Sequence, residues 1–95
     1  MKTSELTRTA LDWAVSQIEG HERAYSTDWA HGGPIIEEEG ISVWVFDDVT
    51  WKAENPFVGA ECVYEGPTPL VAAMRCFVAS RMGDTIEIPE GLQTN

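Results

Sequence analysis

Apolar residues near the start of the chain recur every three or four positions: Leu11, Ala14, Val15 and Ile18, with Leu6 and Ala10 widening the stripe. That period predicts an amphipathic helix from about Glu5 to Glu19. Thr3 or Ser4 is placed to cap its start, and Gly20 to close it with positive φ. Asp12, Ser16, Gln17 and Glu19 mark the wet side, while Trp13 lies at the edge of the stripe, within reach of a neighbouring element or a partner. The pattern then lapses. His21 to Ser26 is a connection, and the two glycines before Pro34 predict a loop over Asp28 to Pro34. Pro34 suits the first position of a short helical turn, Ile35 to Glu39, ended by Gly40. Three glutamates at its C-terminal end oppose the helix dipole and keep it short.

From Ile41 the period changes to two. Ile41, Val43 and Val45 alternate with Ser42, Trp44 and Phe46, the signature of a strand. Asp47 to Thr50 makes a turn, and Trp51 to Glu54 returns as a second strand that Asn55-Pro56 interrupts. Glu61 to Glu65 is a third strand. The period then reverts to helical: Thr68 caps, Pro69 opens, and Leu70, Ala73, Met74, Phe77, Val78 and Arg81 form one buried face up to the stop at Gly83. Thr85 to Pro89 has a β period and fits a sheet edge, where proline is tolerated. These elements predict a single α+β domain over residues 1–95, with two main helices packed on an antiparallel sheet of about three strands, plus a short helical turn.

Composition narrows the setting. The chain has 95 residues, 43% of them hydrophobic, enough for one modest core. No apolar h-region follows Lys2 and no apolar run reaches membrane-spanning length, so the expectation is a cytoplasmic protein without membrane contact. Cys62 and Cys76 are too few for a disulfide framework and lack a CxxC or HxxxH partner pattern, so no metal is expected. Cys76 sits where a small buried hydrophobe belongs. Net charge is −10, unevenly placed. From Asp28 to Glu65, nine acids against one base, Lys52, leave −8. A phosphate backbone is repelled by such a surface, which disfavours direct nucleic-acid binding. A solvated face accounts for the acids, and attraction of a basic protein partner is the sharper alternative.

Three blocks of sequence resemble the NinX-like family of small proteins from lambda-like phages and prophages. The first is Met1 to Thr7 with Leu11-Asp12-Trp13-Ala14-Val15 and Glu19-Gly20. The second is Tyr25 to Ile36 with its continuation to Ile41, and the third is Gly66 to Asp84, continuing to Ile88-Pro89. The family carries no assigned activity. The resemblance therefore implies an accessory role in a phage, acted out in the cytoplasm of the bacterial host, and supplies no catalytic residues. Val45 to Glu65 is the least family-like stretch and is expected to carry partner-specific contacts.

Candidate sites follow from composition and spacing. Tyr25, Ser26, Asp28, Trp29 and His31 gather polar and aromatic groups on a glycine-rich loop, where binding residues concentrate. The structural alternative is that Asp28 caps a turn, Trp29 plugs the core and the glycines supply positive φ. The two glycines form neither a GxGxxG nor a P-loop pattern, and Ser26, Asp28 and His31 lack the nucleophile elbow of a hydrolase, so no catalytic residue or cofactor is assigned. Glu37, Glu38 and Glu39, with Asp47 and Asp48, can meet a basic patch, while Asp47-Asp48 lacks the spaced carboxylates of a calcium loop. One face of the strand carrying Trp44 and Phe46 must be exposed or form a homodimer contact if the sheet is covered on one side only. The leading reading is a non-enzymatic protein that binds a protein partner through Tyr25, Asp28, Trp29, His31 and these acids. The rival is a small enzyme or ligand-binding domain centred on the Tyr25–Pro34 loop.

Overall fold

The computed structural model of the chain describes residues 1–58 and 63–92. A 3-10 turn, Thr3–Glu5, precedes α1 (Arg8–Glu19), followed by α2 (Trp29–Glu39). Strands β1 (Ser42–Val45), β2 (Trp51–Glu54) and β3 (Val63–Gly66) come next, then α3 (Pro69–Met82) and a second 3-10 turn, Glu90–Leu92. The fold is α+β, and the sheet is antiparallel in the order β1-β2-β3. Cys62 and Glu61 lie outside the described residues.

The caps follow local chemistry. The Thr68 hydroxyl accepts from Val71 N at 3.1 Å, Pro69 opens α3 with its φ already helical, and Gly83 leaves the helix at φ 88°. Gly20 ends α1 at φ 86°. The hairpin turn closes through Phe46 N to Thr50 O at 2.9 Å, while Asp47 Oδ1 accepts from Val49 N at 3.0 Å. That hydrogen bond holds the Asp47 carboxyl below the usual carboxylate range.

Register fixes the two faces of the sheet. Val43 pairs Ala53, which pairs Tyr64, and Val45 pairs Trp51, which pairs Gly66. This face meets α3: Ala53 is fully buried, and a Cβ on Gly66 would stand 2.7 Å from Ala72 N, so only glycine lets β3 approach the helix so closely. The opposite face presents Trp44, Lys52 and Glu65 in one row and Ser42, Glu54 and Val63 in the next.

α3 is the centre of the molecule. Every residue from Leu70 to Val78 is buried, because the sheet lies on one side and α1 and α2 on others. The expectation of a single buried face, with Arg81 on it, is therefore corrected. Arg81 is exposed and pairs with Glu39 at the end of α2. Arg75 is the buried base. Its Nε donates to Leu6 O at 2.8 Å and its Nη1 to Glu65 O at 2.7 Å, tying the start of the chain and β3 to the central helix. Burial pushes this guanidinium below its usual value. A helix buried all round loses the amphipathic period on which the one-face expectation rests.

Three other expectations are corrected. The first helix starts at Arg8 after Thr7, not near Glu5, because Thr3 is used elsewhere: its hydroxyl donates to Gly83 O at 2.7 Å. The segment after α3 does not join the main sheet. It pairs with the first residues, through a Lys2–Thr85 bridge and Ile86 N to Met1 O at 2.9 Å, which buries Ile86 and Ile88. Most consequentially, the Asp28–Pro34 stretch is the first half of α2 rather than a loop. Asp28 caps it by accepting from Ala30 N at 2.9 Å. Pro34 is the sixth of the eleven residues of the helix, so its missing N–H removes one helical bond, the one to Ala30 O. Packing of α2 on α3 outweighs that loss, and the Arg81–Glu39 pair relieves the acidic C-terminal end.

Candidate functional site

The expected site residues divide among several environments. Tyr25 is buried, and its hydroxyl donates to His21 O at 2.8 Å. Burial, followed by the nearby Glu19 charge, raises its phenol above the usual value. Its ring meets His31 edge-on at 6.5 Å between centroids. His31 Nε2 lies 3.8 Å from Asp28 Oδ2, an i,i+3 pair on the first turn of α2. The turn at Tyr25 and the start of α2 therefore bring Tyr25, Asp28 and His31 together, with Asp28 engaged as a cap. Trp29 does not plug the core; it is 54% exposed.

A cavity of about 350 Å³ adjoins the start of α2. Thr7 and Arg8 line it from the start of α1, Ser26, Thr27 and Trp29 from the start of α2, and Pro67, Thr68, Leu70 and Val71 from the start of α3. Asp28 and His31 are not among its lining residues. Arg8 holds φ 46°, a left-handed conformation that a side chain rarely adopts. Ser26 is 2% exposed, and its Oγ has no hydrogen-bond partner among the described residues. Its backbone N–H donates to Asp12 Oδ1 at 2.8 Å. Asp12 faces a separate hollow with Trp13, Ser16, Glu22 and Arg23.

Gly32 explains why this corner needs glycine inside a helix. A Cβ there would collide with the Tyr25 carbonyl oxygen and stand 2.6 Å from Leu70 Cδ2. Gly32→Ala is expected to destabilise the fold by about 2 kcal/mol, measurable as a lowered denaturation midpoint, because the helix must move off both neighbours.

The acids do not form one patch. Glu37 and Glu38 are exposed, Glu39 is held by Arg81, and all three precede β1. Asp47 and Asp48, both exposed, follow β1 at its other end, about 20 Å away along an extended chain. Between these groups the sheet face opposite α3 exposes Trp44 and Phe46 among the described residues, at 39% and 58%. Lys52 Nζ sits 4.1 Å from the centre of the Phe46 ring and 4.0 Å from Glu65 Oε2.

Sequence reasoning did not single out Arg8 or Arg75. Arg8 lies within the helix predicted from about Glu5 to Glu19, and nothing in its neighbours signals positive φ. Arg75 sits beside Met74 in an apolar run, which was a usable hint: a base inside such a run must find acceptors. Among the described residues, no group of three His, Cys, Asp or Glu side chains is placed to hold a metal ion, and no helix is long and apolar enough to cross a membrane.

The model of a protein family described as bacteriophage P22, NinX, matches residues 24–81. This span takes in α2, the whole sheet and nearly all of α3, including the Val45–Glu65 stretch expected to be least family-like. No curated protein matches the chain.

Proposed function

Since the chain belongs to the bacteriophage P22 NinX family and is on that basis a phage accessory protein, we propose that it acts in the host cytoplasm, without catalysis, by binding a basic segment of a protein partner on the uncovered face of its sheet. The observation that carries this reading is the exposure of Trp44 and Phe46 on a face that α3 leaves open, with Asp47, Asp48, Glu54 and Glu65 around them. Aromatic rings supply apolar contact area, and acids at the rim attract and orient a cationic partner. Lys52 already lies over the Phe46 ring, and a partner's lysine or arginine would make the same kind of contact with an exposed ring of this face. The acidic balance that suits a basic protein also repels nucleic acid.

The test is quantitative capture from infected cells at low and raised salt. A Trp44→Ala variant carrying Asp47→Lys and Asp48→Lys is expected to lose the captured partner. Glu37→Lys with Glu38→Lys, at the far end of β1, should weaken capture only modestly, through long-range charge. Unchanged capture by the first variant would sink this reading. A dimer that forms with rising concentration and is lost in Trp44→Ala would put a second copy of the chain on the face instead.

A further inference from the structure

We infer that the cavity between the starts of α1, α2 and α3 is a binding site for a small amphipathic carboxylate, independent of the sheet face. Three helix N-termini open onto it. The N–H groups of Arg8, Trp29 and Leu70 belong to first turns, where no carbonyl of the same helix can accept them. Each terminus carries partial positive charge, which at α2 is offset by the capping Asp28 carboxylate. In a chain of sixteen acids and six bases, none of the residues lining this cavity is acidic, and Arg8 brings a full cation. The lining thus carries a net positive charge in an acidic molecule.

A second feature points to a ligand. Ser26 lines the cavity, is almost wholly buried, and leaves its hydroxyl without a partner among the described residues. A buried hydroxyl is normally satisfied, and a ligand oxygen would satisfy this covered one once the Ser26 side chain turns toward the cavity. The remaining wall selects the rest of the ligand. Trp29, Pro67, Leu70 and Val71 are apolar, so the occupant needs a hydrocarbon body behind its anionic head. A volume of about 350 Å³ is within the range of small-molecule sites. Asp12, the carboxylate bonded to Ser26 N, would oppose an anion, but it faces the separate hollow.

The probe is octanoate, titrated into the isotopically labelled full chain and followed by amide and indole N–H shifts. Saturable shifts at Arg8, Ser26, Trp29 and Leu70 are expected. Octylammonium, which has the same tail and the opposite charge, should produce none at these positions. Ser26→Ala removes the orphaned hydroxyl, and Arg8→Gly removes the cation along with the strained φ. Both variants should melt no lower than the parent chain, yet bind octanoate about tenfold more weakly. That split separates a ligand role from a structural one. A hydrophobic dipeptide with a free C-terminus, if it binds more tightly than octanoate, would assign the carboxylate to a peptide end and keep the shared chemistry. Equal shifts with octylammonium, saturation by inorganic phosphate alone, or no saturable shift with octanoate would each overturn the proposal.

Discussion

Phe77→Asp is expected to abolish cooperative folding. Phe77 is 1% exposed and stands on the helix that sheet, α1 and α2 all enclose. Removing its ring costs about 3–5 kcal/mol in lost transfer energy and residual cavity. Burying a carboxylate among apolar neighbours adds several more, unless it binds a proton. The total reaches about the whole stability of a small domain, roughly 5–15 kcal/mol. Met74→Asp, at a site with no exposure, should behave the same way. The measurement is thermal unfolding by near- and far-ultraviolet circular dichroism. A soluble variant with a sharp transition near that of the parent chain would show that α3 is not the centre of the core.

Arg75→Ala is expected to be the next most damaging change, lowering stability by about 3 kcal/mol. The substitution withdraws the donors from Leu6 O and Glu65 O together. An acceptor buried without its partner costs about 1–3 kcal/mol, and the vacated volume adds to that. Because the two carbonyls lie 69 and 10 residues from Arg75, the loss should loosen two places at once: the start of the chain and β3. Hydrogen exchange would read this directly, as faster exchange at Leu6 to Ala10 and in β3, with the middle of α3 less affected. Arg75→Lys can restore one carbonyl contact but not the planar fork that reaches both, so it should recover only part of the stability. A loss below about 0.5 kcal/mol in Arg75→Ala would show that water replaces the guanidinium at both carbonyls.

The two substitutions also show where sequence reasoning succeeds and where it stops. Met74 and Phe77 were recognisable as core from spacing alone, since each lies at helical intervals from Leu70 and Val78. The adjacent Arg75 was not, because its acceptors come from residues remote in the chain. The same divide runs through the candidate site. The cap at Asp28 was legible, since a short polar acceptor two residues before an unbonded N–H is local chemistry. That this cap opens an eleven-residue helix through Gly32, Gly33 and Pro34 was not, because every local signal in that stretch favours a loop. Contact with α3 reverses the preference. Gly32 is there for the closeness of Tyr25 and Leu70, and that closeness exists only after α2 has docked.

The sequence by itself determined the α+β class, the hairpin with its Asp47–Thr50 turn, the strand alternation, and the start and stop of α3. Each depends on residues within a few positions of one another, where caps, φ preferences and side-chain period act directly. Tertiary structure alone decided that α3 is enclosed rather than one-sided, that Thr85 to Ile88 pairs with the first residues, and that three helix starts surround one cavity. Those arrangements are set by burial and hydrogen bonds between segments tens of residues apart, and the competition among such distant pairings leaves no mark on local pattern.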